Sequence, residues 1–368
     1  MAKKIRYIML GGFLGAGKTT TISRLARLYR EQGLNVGIVT NDQAADLVDT
    51  HMLRSQGYDV GEVAGACFCC NFNELTDTVG RLEETKHPDV ILAEPVGSCT
   101  DLVATVVLPL QKLFEHKFEV APYAVILKPN HGRRILEGDG KRGFSPKAEY
   151  IFRKQLEEAD LLLINRVDEL SPEDVDHLES LLKTEQPDVP ILRISARNGD
   201  GFDELVQHLD QPGQGVRRVL ELDYDVYAEG EAELGWLNSS LKISKDEAFS
   251  LDQFLTDAVQ ALRDRLETAG AETAHLKAIG LCEGAYGVAN LVGSDVASEL
   301  SLASHAETKT ADVVINARVA IDPETLQELV DDAVKSVTTA HGLNMEPGST
   351  QSFRPGRPVP THRYPAST

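Results

Sequence analysis

Eight residues near the start of the chain, Gly12-Phe-Leu-Gly15-Ala16-Gly17-Lys18-Thr19, leave few options for its architecture. They follow the pattern G-x-x-x-x-G-K-[ST], directly after a β-rich apolar run at residues 5–10 and directly before a helical pattern at 19–32. In that setting backbone N–H groups turn inward around an anion, and the start of the helix adds a favourable partial positive charge. Lys18 is expected to bridge β and γ phosphates, and the Thr19 hydroxyl to hold Mg²⁺. Gly12, Gly15, Ala16, Gly17, Lys18, Thr19 and Thr20 make up the expected phosphate contacts. The competing reading, a chance glycine-rich turn, does not account for a full pattern placed between a strand and a helix.

The surroundings agree. Continuous apolar runs at residues 5–10, 36–40, 90–93, 123–127, 161–164 and 191–194 read as strands covered on both faces, as in a parallel sheet. Helical patterns lie between them at 19–32, 74–86, 148–158, 172–183 and 202–209. The second carries Leu75, Val79 and Leu82 on one face, with Asn71 or Asn73 placed to cap it. This alternation predicts a doubly wound, mostly parallel α/β domain of the P-loop NTPase type over residues 1–213. A Pro-Gly-containing linker at 211–215 follows. Beyond it a strand at 235–243, a helix at 251–269, strands near 275–281, 286–292 and 312–319, and a helix at 323–340 predict a smaller α+β domain. That domain, 217–341, is expected to pack two helices on one face of an antiparallel sheet. The last stretch, 342–368, has five prolines and few large apolar residues, so it is expected to be disordered.

A net charge of −20 argues against non-specific nucleic-acid binding, because an acidic surface repels phosphate. No run approaches the ~18 to 20 apolar residues of a membrane span. The short apolar run after the basic start leads into Gly11-Gly12 and reads as a strand rather than a signal peptide. Five cysteines, three of them within four positions, suggest reduced thiols in a cytoplasm rather than a disulfide scaffold.

Ligands collect at the carboxyl edge of an open parallel sheet. Asp42 and Glu94 both follow strands and should reach that edge, as carboxylates for Mg²⁺ or an attacking water. Gly97, in Glu94-Pro-Val-Gly97, would sense the γ-phosphate through its N–H. Helix capping is the plainer role for either carboxylate. Asn165-Arg166-Val167-Asp168 and Ser195-Ala196 follow two further strands. An Asp168 carboxylate can accept from guanine N1–H and N2–H₂, whereas adenine would leave it unpaired. Asn165 would brace the loop, and a backbone N–H near Ala196 would meet guanine O6. The usual GTPase motif N-K-x-D has arginine here in place of lysine.

Cys67-Phe-Cys69-Cys70 lies between the Asp42 and Glu94 loops, ahead of a helix whose start favours thiolates. Three such sulfurs suit one soft or borderline ion, Zn²⁺ most readily, with Co²⁺, Ni²⁺ or Cu⁺ as alternatives. Packing as small hydrophobes, or a redox thiol pair, are the other readings. Cys99 and Cys282 stand alone and are expected in the core. The histidines, among them His51, His87, His131 and His275, show no paired metal spacing. Arg133, Arg134, Lys141 and Arg142 form a basic stretch that could touch phosphate or a partner, or simply be a solvated loop.

Together, the Gly11–Thr20 run, Cys67-x-Cys69-Cys70, Glu94-x-x-Gly97 and Asn165-x-x-Asp168 resemble the CobW-like metallochaperone GTPases, relatives of UreG and HypB. The resemblance covers residues 5–210. It implies Mg²⁺-dependent GTP hydrolysis to GDP, with Lys18 and Thr19 on phosphate and Mg²⁺ and Glu94 as the switch carboxylate. It further implies a transition metal on Cys67, Cys69 and Cys70, delivered to a client metalloprotein or a cofactor-synthesis enzyme such as one for cobalamin, and dimerisation across the nucleotide face. Three departures mark a divergent subgroup. Thr40-Asn41-Asp42-Gln43 is closer to the UreG version, Lys128-Pro-Asn130 replaces an acidic residue, and the tail has no His-rich stretch. Two further functions fit the residues: a GTP-dependent scaffold with a structural cysteine site, and a P-loop small-molecule kinase.

Overall fold

The computed structural model describes residues 3–41, 48–137, 146–211, 218–291 and 298–365. The chain forms two units that interleave along the sequence. One comprises residues 1–43, 57–230 and 357–368; the other comprises 44–56 and 231–356.

In the first unit the order is β1 (Ile5–Gly11), α1 (Lys18–Glu31) and β2 (Val36–Asn41). After α2 (Val48–Ser55), which belongs to the other unit, come β3 (Asp59–Val63), α3 (Phe72–Lys86) and β4 (Val90–Glu94). A π-helical turn, Val103–Val107, runs into α4 (Leu108–Leu113), followed by β5 (Phe118–Val120), β6 (Ala124–Leu127), α5 (Pro129–Glu137) and α6 (Pro146–Glu157). The unit continues with β7 (Leu161–Ile164), α7 (Pro172–Glu185), β8 (Ile191–Arg193) and α8 (Phe202–Leu209). The sheet order is β3-β2-β4-β1-β6-β7-β8, with β5 beside β1, and every pairing is parallel. Strands such as Val90-Ile91-Leu92-Ala93 are buried on both faces, which is why they read as unbroken apolar runs. Each fully buried aliphatic side chain contributes roughly 1.5–3 kcal/mol.

Parallel pairing sends the carboxyl ends of β1, β2, β4, β6, β7 and β8 to one edge. The chain builds outward from β1 to β4, β2 and β3 on one side and to β6, β7 and β8 on the other. The loop after β1 therefore opens at the point where the strand order reverses, the crevice where such sheets bind ligands. Helix α3 packs Leu75, Val79 and Leu82 inward, as its spacing predicts. Asn71 stands at its N-cap, but its side chain makes no capping bond and turns instead to Ala64 O at 3.5 Å.

Helix α9 (Tyr224–Ala232) spans the unit division. The second unit continues with β9 (Gly235–Ser250), α10 (Leu251–Thr268), β10 (Thr273–Cys282), β11 (Ala285–Leu291), β12 (Glu299–Leu302) and β13 (Glu307–Val319), then α11 (Pro323–His341) and β14 (Asn344–Phe353). Its sheet, β12-β11-β10-β13-β9-β14, is antiparallel throughout. Phe254, Leu262, Val330 and Val334 from α10 and α11 pack on Leu276, Val313 and Ile315. The alternate residues Ile279 and Val314, with Val288, meet Met52 of α2, so the period of two assigns α2 to the opposite sheet face.

The expectation of a disordered tail is overturned at residues 344–353, where β14 pairs with β9 from Asn344↔Ser244 to Phe353↔Trp236. An edge strand held by main-chain bonds needs no apolar side chains of its own, so composition did not reveal it. The register shifts between Pro347 and Thr350, at the kind of irregularity where a sheet tolerates proline. Among the described residues no helix is long and apolar enough to cross a membrane.

Candidate nucleotide and metal site

The loop after β1 folds around the end of Lys18, whose Nζ donates to Gly12 O at 2.9 Å and to Phe13 O at 3.4 Å. Gly17 has φ 98°, and a Cβ there would lie 2.4 Å from Asn165 Nδ2. Only glycine fits. Gly15 and Ala16 form the turn between, Thr19 is buried and Thr20 is exposed on α1.

Thr19 Oγ1 donates to Glu94 Oε1 at 2.9 Å, within the buried rim of the sheet. A hydroxyl and a carboxylate, both hard oxygen donors, are the chemistry Mg²⁺ takes from protein. Gly97 follows on the same loop, and a Cβ there would come within 3.0 Å of Lys18 Nζ. The loop thus passes directly over the lysine. Asp42 lies outside the described residues, as do Lys141 and Arg142. Arg133 and Arg134 belong to α5, where Arg133 pairs with Asp174 at 2.7 Å.

Asn165 braces two loops. Its Nδ2 donates to Ala16 O at 2.8 Å, and its Oδ1 accepts from Ala196 N at 3.0 Å. Ser195 is fully buried, with Oγ accepting from Asn198 N at 3.0 Å. Arg166 adopts a left-handed conformation, φ 62°, and its head pairs with Glu169 at 3.2 Å. The exposed Asp168 follows in a tight 3₁₀ turn, Val167–Glu169.

The three cysteine sulfurs converge. Cys67 Sγ lies 2.9 Å from Cys69 Sγ and 3.3 Å from Cys70 Sγ, and the other two are 3.7 Å apart. Cys67 and Cys69 are buried and Cys70 is half-buried; all are free thiols. Hydrogen bonds with the thiols of Cys69 and Cys70 hold Cys67 well below the ordinary thiol range, against burial. Its bond with Cys67 and its burial push Cys69 well up. Cys70 is pushed up to about 11, chiefly by Cys67. Three converging thiols are a set ready to lose protons to a soft cation.

Sequence reasoning missed what holds this loop. Asn41, the last residue of β2, donates from Nδ2 to Val63 O and Ala66 O, both at 2.8 Å, and accepts at Oδ1 from Phe68 N at 2.8 Å. It thereby grips both sides of Cys67. Cys99, expected to be core, is buried. The closing segment, also expected to be disordered, lies across the cysteines. Val359 N donates to Cys70 Sγ at 3.2 Å, Thr361 N to Cys69 O at 2.8 Å and Thr361 Oγ1 to Cys70 O at 3.0 Å. His362 meets the Phe72 ring edge-on at 5.1 Å, and Tyr364 N donates to Ala104 O at 2.9 Å. Arg363 Nε donates to Asp101 Oδ2 at 2.7 Å. Burial raises the Asp101 carboxyl, while its bonds to Arg363 and Tyr224 oppose that. His131 sits edge-on against Phe13, with ring centroids 5.9 Å apart.

Known proteins resemble parts of this chain. The chain is 26% identical over 225 residues to the urease accessory protein UreG of Metallosphaera sedula, covering 57% of this chain and 94% of that one. It is 30% identical over 172 residues to the zinc chaperone YeiR of Escherichia coli, covering 45% of this chain and 47% of YeiR. With the zinc chaperone CobW of Sinorhizobium it is 27% identical over 217 residues, 54% of this chain and 60% of that one. It thus spans only about half to three-fifths of these two zinc chaperones. Among solved structures, the hydrogenase maturation factor HypB of Archaeoglobus fulgidus aligns with TM-score 0.40 and 20% identity, over 56% of this chain and 88% of that one. Zn(II)-bound YjiA of E. coli aligns with TM-score 0.40 and 14% identity, over 90% and 99%. The profile of the CobW/HypB/UreG nucleotide-binding domain matches residues 6–193, which takes in the phosphate loop, the cysteines and Asn165–Asp168; the chain belongs to that family.

Proposed function

We propose that the protein binds and hydrolyses GTP and uses the nucleotide state to control a transition metal held by Cys67, Cys69 and Cys70. The observation that carries this reading is the grip of Asn41 on the cysteine loop. Asn41 ends the strand that leads to Asp42, so a rearrangement of that strand end around a γ-phosphate would be passed to the residues on either side of Cys67. Lys18 and the loop N–H groups would hold the phosphates, Thr19 and Glu94 would hold Mg²⁺, and Asp168 with the N–H of Ala196 would select guanine. Bound Mg²⁺ would neutralise charge on the β and γ phosphates.

Zinc is the metal the site suits best. Thiolates favour it, and the relatives CobW and YeiR are named zinc chaperones. The recipient would be a client metalloprotein or cofactor-synthesis enzyme. The test is metal affinity of the reduced protein, by competition against a chromophoric chelator, with GDP and with a non-hydrolysable GTP analogue. We expect a difference of about 5- to 150-fold, and by linkage the same factor in GTP affinity when metal is present. Equal metal affinities in the two states would remove the coupling.

One observation favours a second reading, a GTP-dependent scaffold with a resident structural metal. The segment at 359–364 covers the sulfurs, as a permanent site would require. Metal that survives prolonged chelation in every nucleotide state would decide for the scaffold.

A further inference from the structure

A single buried amide holds the turn that follows β4. Cys99 N donates to Val96 O at 3.0 Å and closes this turn, with Gly97 and Ser98 at its tip. Gln155 of α6, 1% exposed, donates from Nε2 to Gly97 O at 3.1 Å and to Cys99 O at 2.9 Å. One nitrogen thus gives both its hydrogens to carbonyls of the same turn. Its Oε1 makes no hydrogen bond among the described residues, so the turn alone sets the orientation of the amide. Gly97 also abuts the phosphate loop, where a Cβ on it would lie 2.7 Å from Leu14 Cδ2 and 3.0 Å from Lys18 Nζ. A methionine of similar size would fill the place of Gln155 without the cost of burying an amide. What the amide supplies instead is a fixed position for two carbonyls.

We propose that Gln155 is a positioning residue for GTP hydrolysis, setting how close the Gly97 turn stands to Lys18 and so to the γ-phosphate. The inference rests on the reading of Gly97 as the residue that meets that phosphate. In the step it serves, the oxygen of water bonds to the γ-phosphorus and the bond to the β–γ bridging oxygen breaks. GDP, phosphate and a proton leave. Gln155 acts on this step through the turn and not on the reacting atoms. GDP has no group for the turn to meet, so its binding is indifferent to where the turn stands. For the triphosphate, a misplacement of about 1 Å costs on the order of a hundredfold in rate.

The test uses the full-length protein with Mg²⁺ and two variants. Gln155→Met keeps the size and removes both donors; Gln155→Asn keeps the amide but shortens its reach. Phosphate release gives kcat, and competition against a fluorescent nucleotide gives affinities for GDP and for a non-hydrolysable GTP analogue. In Gln155→Met, kcat should fall about 10- to 100-fold. The analogue should bind several-fold more weakly relative to GDP, while GDP affinity stays at the wild-type level and shows that the variant is folded. Gln155→Asn should fall between the two and carries the same comparison if Gln155→Met does not fold. Wild-type kcat and a wild-type ratio of analogue to GDP affinity would overturn the proposal and leave GTP hydrolysis standing. An equal loss of affinity for both nucleotides would also overturn it, because a brace for the whole domain behaves in that way. Absence of GTP hydrolysis by the unaltered chain would overturn the proposal together with the function it serves.

Discussion

The main-chain N–H of Val359 donates to Cys70 Sγ at 3.2 Å, bringing together residues 289 positions apart. Such a bond stabilises negative charge on sulfur, and the segment that supplies it is fastened by Arg363 on Asp101. Arg363→Ala would leave Asp101, 1% exposed, with the Tyr224 hydroxyl at 2.7 Å and no cation. Because the Arg363 side chain is itself 38% exposed, the expected cost is about 1–3 kcal/mol. The segment should then lift, and Cys70 should react several-fold faster with a thiol reagent, read by mass spectrometry of the alkylated peptide; Arg363→Lys should restore part of the protection. A lowered Tm with unchanged Cys70 labelling would mean that the segment is a brace and not a cover.

Glu94→Gln keeps the size of the side chain and its bond to Thr19 but removes the charge. If Glu94 helps hold Mg²⁺ or orders the attacking water, kcat for GTP should fall roughly a hundredfold or more, while GDP affinity stays within a few-fold. Phosphate release and fluorescent-nucleotide titration check the two halves separately. Undiminished turnover would reduce Glu94 to a partner of Thr19.

The exposure of Asp168 suits a carboxylate whose partner is a ligand. Asp168→Ala should reduce the preference for GTP over ATP by about 10- to 100-fold, the cost of two lost hydrogen bonds to the base. Asn165→Ala should weaken both nucleotides alike, because Asn165 ties Ala16 to Ala196. Competition of GTP and ATP against a labelled GDP distinguishes these. A uniform loss in Asp168→Ala would remove its part in choosing the base.

The legible parts of this chain were those where one local pattern fixes both conformation and chemistry. The phosphate loop, the apolar strands β1, β2, β4, β6, β7 and β8 and the three clustered cysteines are of this kind. What stayed hidden depended on contacts distant in sequence. Strand β3, Asp-Val-Gly-Glu-Val, has no apolar run, since it lies at the sheet edge and only Val63 is buried. Strand β14 is exposed along nearly its whole length and exists through its pairing with β9. Asn41 gave no signal of its own. It acts through backbone groups 22 to 27 residues away. A lone cysteine in an apolar stretch is normally core, and Cys99 is buried.

Glu158 ties the loop after Cys99 into the fold and gives the chain a pH dependence of definite sign. It is fully buried, accepting from Thr100 Oγ1 at 3.3 Å and Val103 N at 3.1 Å. Burial, with a smaller part from Asp101, raises its carboxyl well above the ordinary range, against those hydrogen bonds. The folded protein therefore keeps a proton at pH values where the unfolded chain has released it. Its stabilising share is complete below the unfolded value of about 4.3 and is lost as pH rises through the raised folded value, with a limiting slope of about 1.4 kcal/mol per pH unit. Glu158→Gln cannot titrate, so the difference between wild-type and variant unfolding free energies should fall as pH rises above 5, until the raised folded value is passed. Asp101, also raised, remains in both proteins, but its charge adds to the Glu158 shift, so it cancels only in part. Denaturant titrations at four pH values measure it, and parallel curves for the two proteins would mean that Glu158 is ionised in the folded state.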